Sequence, residues 1–233
     1  MKWENGRRST NVEDRRGSGI RRGAVLGGGG ALVVGILALI LTGDPSQLLQ
    51  GLLGGGQGAS QGQIEASSPE EDRLADMCAV VLADTEDTWN AIFEKSGMEY
   101  KEPSLVIFSG QVSSACGNAD SSTGPFYCPG DQKIYIDLSF YKDLASRFRA
   151  PGDFAQAYVL AHEVGHHVQE QLGVLGSMHQ QMQMSSPAVA NDLSVKLELQ
   201  ADFFAGIWAH YADRSRGLLE QGDLEEAIIS ARH

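Results

Sequence analysis

Apolar positions recur along this chain with different periods, and each period predicts a different kind of element. Leu74, Met77, Val81, Leu82, Trp89, Ile92 and Phe93 repeat at the spacing of a helix with one buried face. Its start is marked by Ser68, Pro69 and Glu71, which supply a cap, a first-turn proline and a capping-box carboxylate, so the folded domain is expected to begin near Pro69. Phe154, Ala157, Tyr158, Ala161, Val164, Val168 and Leu172 form a second helical stripe. Pro151-Gly152 breaks the chain before it, Asp153 reads as its cap with Gln156 as capping-box partner, and Gly173 is placed to end it. A third helix opens on Ser186-Pro187 and runs to about Ala212, and a short one covers Asp143 to Arg149. Ser104 to Phe108 is a compact apolar run, while Lys133 to Asp137 alternates polar and apolar positions as an edge strand does. Together these elements predict an α+β fold, mainly helical, with a small sheet.

A different pattern precedes the domain. Ala24 to Thr42 is uncharged and apolar or small, close to the roughly 20 residues that a bilayer-spanning helix needs. The first 23 residues hold seven Lys or Arg against three acids, in a chain of 233 residues whose net charge is −12. Positive-inside bias then predicts a basic cytoplasmic N-terminus over 1–23, a membrane anchor over 24–43, and an acidic remainder on the periplasmic or extracellular side of a bacterial inner membrane. A cleaved signal peptide is the rival reading; the long preceding region and the lack of a nearby small-x-small cleavage pattern favour an uncleaved anchor. Residues 44–68, rich in Gly, Ser and Gln, read as a flexible linker with a reach of about 28 Å, which leaves 69–233 as the domain.

Chemistry concentrates on the second helix, in His162-Glu163-Val164-Gly165-His166. Imidazoles at i and i+4 share a helical face and can converge on one zinc ion, with Glu163 between them as general base for water polarised by the metal. A catalytic zinc site takes a third protein ligand, and Glu198 is the candidate. It shares a face with Asp202 at i+4, and Asp202 is suited to accept the free N–H of a ligating imidazole. Ala161 and Gly165 on one helix and Ala205, Gly206 and Ala209 on the other are small, which predicts a close approach that lets Glu198 reach the metal. Other polar residues read differently. His210 lies about 18 Å along the helix from Glu198, too far to assist. His167 projects about 100° from His166 and reads as an exposed neighbour. Tyr158, one turn before His162, reads as packing, with a role as transition-state donor the weaker alternative.

Cys116 and Cys128 bracket a turn-rich loop, and an oxidising compartment would favour their pairing. Cys78 lies on the apolar face of the first helix and reads as a buried free thiol. No Gly-rich phosphate loop, serine triad or basic stripe is present, and a domain of this acidity would repel a phosphate backbone, so nucleic acid is not an expected partner. Oligomeric state leaves no mark in the sequence.

Several segments taken in order carry a family resemblance: Asn11 to Arg16 (NVEDRR), Gly124 to Pro129 (GPFYCP), Ile134 to Tyr141 (IYIDLSFY), Gly152 to Gln156 (GDFAQ), the helix through Gln169, and Leu193 to Gly206. On these the chain resembles the bacterial neutral zinc metallopeptidases, the YpfJ-like proteins of the broader gluzincin group. The resemblance implies a zincin-like domain in which His162, His166 and Glu198 hold one Zn²⁺ and Glu163 is the base. It also shows two departures: Phe203 stands where the family usually has a cysteine, and relatives continue past the position of His233, so the domain reads as truncated at its C-terminus. The expected function is a membrane-anchored zinc peptidase acting on peptides or proteins. The alternative is a catalytically weak or inactive envelope protein that keeps the zinc helix as a binding or structural module.

Overall fold

The computed structural model describes residues 1–17, 68–146 and 152–230. Residues 24–43 and the stretch to residue 67 lie outside the described residues, so the expected anchor and linker are not placed. No helix among the described residues is long and apolar enough to cross a membrane. The architecture is helix-rich α+β with a small sheet. In chain order its elements are β1 (Val12–Asp14), α1 (Pro69–Lys95), β2 (Ser104–Phe108), β3 (Gln111–Ser114), β4 (Gly117–Asp120), β5 (Phe126–Cys128), β6 (Lys133–Asp137), α2 (Ser139–Ser146), α3 (Asp153–Gln171), α4 (Val174–Gln183), α5 (Pro187–Arg216) and α6 (Asp223–Ser230).

The four-stranded sheet has the order β1-β2-β6-β5. β1, β2 and β6 run parallel and β5 is antiparallel to β6. Successive side chains leave a strand on opposite faces. Leu105, Ile107, Ile134 and Ile136 therefore join the helices in the main core, whereas Val106, Phe108, Tyr135 and Cys128 pack with Val112 on the other side. β6 was expected at an edge and is interior, with Ile134, Tyr135 and Ile136 at 0–1% exposure. Its alternation divides two apolar layers rather than core from solvent. The edge on that side is β5, tied by the Cys116–Cys128 disulfide.

α1 begins as its capping residues dictate: the Ser68 side chain accepts from Glu71 N–H, Glu71 answers the Ser68 N–H, and Pro69 sits in the first turn. Cys78 is a buried free thiol, its pKa pushed up to about 11 by burial. α3 starts differently from the expectation. Gly152 is its N-cap, with no side-chain cap bond, because the Asp153 carboxylate lies 2.7 Å from the Met1 amine. Gly173, in the left-handed conformation, ends α3 and opens α4, a helix the periodicity did not announce. α1 and α5 are fastened by Asp84, which is buried and accepts from Trp208 Nε1 at 2.7 Å and from Arg216.

Residues 1–17 depart from the expected separate tail, for they belong to the same compact unit as the domain. Trp3 is 2% exposed, and β1 extends the sheet beside β2. The basic residues are part of the reason: Arg7 pairs with Glu86 and Asp87, Arg8 with Asp76, and Arg16 with Asp72, all acids of α1.

Candidate metal centre

α3 and α5 meet where both are small. A Cβ at Gly165 would stand 2.8 Å from the Ala201 carbonyl oxygen and 3.0 Å from its Cα, and Ala161, Ala201 and Ala205 are buried. This contact brings Glu198, one turn before Ala201, within reach of α3. Glu198 Oε2 lies 3.2 Å from His162 Nε2 and 3.5 Å from His166 Nε2. One donor atom from each residue falls within 4.8 Å of the other two.

The spacing and chemistry of this set fit zinc. Donors at roughly 2.0–2.1 Å from a tetrahedral ion stand about 3.3 Å apart, and two neutral imidazoles with one carboxylate are a known catalytic donor set. The far ring nitrogens are occupied in a way that leaves both Nε2 atoms free to bind. His162 Nδ1 lies 2.9 Å from Asp202 Oδ1, and because a carboxylate only accepts, that nitrogen carries the proton. His166 Nδ1 lies 3.0 Å from Gln169 Oε1, while Gln169 Nε2 donates to Leu197 O at 2.7 Å. Gln169 thus orients one ring and ties it to α5. Sequence reasoning missed it; its one signal is a polar side chain three residues after His166, the spacing at which a side chain folds back over the preceding turn. Gln169→Ala should weaken zinc binding about 10- to 100-fold with the fold retained, as read by competition with a chromophoric chelator.

Tyr158 does more than pack. Its hydroxyl donates to Asp202 Oδ1 at 3.2 Å, so it positions the carboxylate that orients His162. His167, expected to be exposed, is buried at 0%. The helix turns it inward, where its Nδ1 accepts from the Tyr127 hydroxyl at 3.0 Å and its Nε2 donates to the Lys101 carbonyl at 2.6 Å. It anchors β5 against α3, and burial lowers its pKa. His210 is exposed near the far end of α5.

Glu163 is buried, and the Tyr127 backbone of β5 lies near enough to favour its charged form slightly. Burial raises its pKa, with the charges of His166 and His162 acting in opposition. The histidines shift the other way from what burial alone would do. Burial disfavours the charged ring of His162, yet hydrogen bonds to Asp202 and Glu198 outweigh it and lift the pKa to about 10. Glu198 answers by falling well below the usual carboxylate range, through its hydrogen bonds with His162 and His166.

A histidine nitrogen binds a cation only when it has lost its proton. With its pKa raised to about 10, His162 holds a proton throughout the neutral range in the metal-free protein. Zinc binding at pH 7 should therefore release at least one proton, and affinity should rise with pH until the solution passes that pKa. Calorimetric titration in buffers of different ionisation enthalpy reads the released proton; a binding heat that does not change with buffer would contradict the assignment.

Two imidazoles on one helix and a carboxylate from a second, with a buried glutamate beside them, make a donor set of the kind that can hold a catalytic zinc. The chain belongs to the family described as "Putative neutral zinc metallopeptidase", whose model matches residues 1–233. It is 45% identical over 240 residues to "Uncharacterized protein YpfJ" of Escherichia coli (strain K12), covering 100% of this chain and 82% of the relative. It is 40% identical over 164 residues to "Uncharacterized protein Rv2575" of Mycobacterium tuberculosis (strain ATCC 25618 / H37Rv), covering 66% of this chain and 54% of the relative. No solved structure matches the chain.

Proposed function

We propose that this protein is a zinc-dependent peptidase in which His162, His166 and Glu198 hold one Zn²⁺ and Glu163 is the general base. The observation that carries the reading is the convergence of Glu198 Oε2 on both Nε2 atoms beside a buried carboxylate. When bound, zinc supplies a Lewis acid that polarises a carbonyl oxygen and lowers the pKa of water to about 7. The chain's own residues do the rest. Asp202 and Gln169 hold the two rings in the tautomer that turns Nε2 toward the ion, and Tyr158 steadies Asp202. Glu163 takes a proton at its carboxylate and returns it to the leaving amine. Its raised pKa brings it nearer the working pH, where a base that must also serve as an acid is most effective.

Peptide substrates are supported by β5. Its outer edge has no strand partner among the described residues, and its Tyr127 backbone touches Glu163. An extended peptide could add to that edge by main-chain hydrogen bonds and lie across the centre. The disulfide supports work in an oxidising compartment, outside the cytoplasm. Metal analysis of protein purified without chelator, followed by digestion of a peptide library, tests the reading. Zinc bound without cleavage by the unmodified protein would favour a binding module instead.

A further inference from the structure

The N-terminal segment is built into the domain by its backbone, its core and its charges together. β1 pairs Val12 with Leu105, Glu13 with Val106 and Asp14 with Ile107. The ladder is closed at either end by Leu105 N–H to Asn11 O at 2.8 Å and Arg15 N–H to Ile107 O at 2.7 Å. Glu86 on α1 is 1% exposed, and its carboxylate accepts from Arg7 Nη2, Ser9 Oγ and Asn11 Nδ2. All three donors thus come from residues 7–11. Trp3 is covered on one face by Arg73, whose guanidinium lies 5.1 Å from the ring centroid. Arg16 pairs with Asp72 in the first turn of α1 at 3.1 Å, so Gly17 and Ser68, on either side of residues 18–67, belong to one corner of the fold.

We propose that residues 1–17 and residues 68–230 share one aqueous compartment in the folded protein. Opposite compartments would strip β1 from β2 and uncover Leu105, Val106 and Ile107, each 0% exposed. They would also remove the donors that Glu86 draws from residues 7–11. Three of the basic residues counted for orientation are engaged here with carboxylates of the same folded unit: Arg7 with Glu86 and Asp87, Arg8 with Asp76, Arg16 with Asp72. A buried carboxylate stripped of its hydrogen-bond donors is costly to leave without partners. The disulfide lies in this unit as well, so the compartment shared by residues 1–17 is the one in which Cys116 and Cys128 are oxidised. The inference stands whether or not the centre cleaves peptides.

Accessibility labelling of the full chain in bacterial cells tests it. Thr10→Cys and Lys95→Cys each place one new thiol at an exposed position, against a background in which Cys78 is buried and Cys116 and Cys128 are bridged. A membrane-impermeant maleimide should label both sites in intact cells, on the side where Cys116 and Cys128 are bridged; labelling of both only after permeabilisation would keep the shared compartment and overturn its oxidising character. Labelling of one in intact cells and of the other only after permeabilisation would overturn the proposal. A second measurement tests the contact itself. Arg8 and Asp76 meet at 2.6 Å, so the double variant Arg8→Cys with Asp76→Cys should be joined by a short bis-maleimide in cells, whereas two labelled thiols that never cross-link would sink it.

Discussion

Glu163→Gln should leave the zinc content unchanged and lower peptide cleavage by about 10²- to 10⁴-fold, the usual contribution of a positioned acid–base group. The substitution keeps volume and shape in a buried position, so packing should not move. None of His162, His166 and Glu198 is altered. What disappears is a side chain able to take a proton and give it back. Because burial already disfavours the charged form of Glu163, a neutral amide should not destabilise the metal-free fold. Zinc stoichiometry and library digestion of both proteins give the answer. Cleavage at the unmodified rate by zinc-loaded Glu163→Gln would remove Glu163 from the role of base.

Gly165→Leu should cost the protein its zinc. The first added carbon already meets backbone atoms of Ala201 at 2.8 and 3.0 Å, and backbone in the middle of a helix cannot rotate away as a side-chain end can. Overpacking typically costs 1–3 kcal/mol, and the full leucine side chain forces α5 away from α3. Glu198 rides on α5 one turn from the contact, so separation of the helices carries its carboxylate out of reach of both Nε2 atoms. Two histidines alone should bind zinc at least about tenfold more weakly. Gly165→Ala grades the effect. An alanine gains up to about 1 kcal/mol of helix propensity over glycine, and the clash must exceed that gain if the close approach matters. Thermal unfolding with and without zinc separates loss of fold from loss of metal, and full metal occupancy in a folded Gly165→Leu protein would refute the account.

Local signals were legible wherever a few neighbouring residues decide the outcome. Ser68, Pro69 and Glu71 specify the start of α1 because cap, proline and carboxylate act within one turn. The spacing of His162, Glu163 and His166 puts two rings on one helical face regardless of the rest of the chain. Asp153 shows the limit of such reasoning: it is chemically suited to cap α3, but a partner 152 residues away takes its carboxylate. His167 likewise follows helical geometry, yet which directions meet solvent depends on where β5 and Lys101 lie. The edge character read into β6 failed because alternation reports two different faces without saying whether either is wet.

By itself, the sequence determined the helices of the centre, their small residues, the donors on them, the cysteine pair and the capping of α1. These depend on backbone geometry and on residues no more than about four positions apart, or on chemistry intrinsic to the side chain. Only the tertiary structure decided that Glu198 reaches both rings, that Gln169 and Tyr158 complete their support, that β5 is the edge beside Glu163, and that residues 1–17 belong to the sheet. Each of these joins segments far apart in the chain, and such contacts are selected by packing of the whole core and by the need to give every buried charge and backbone group a partner.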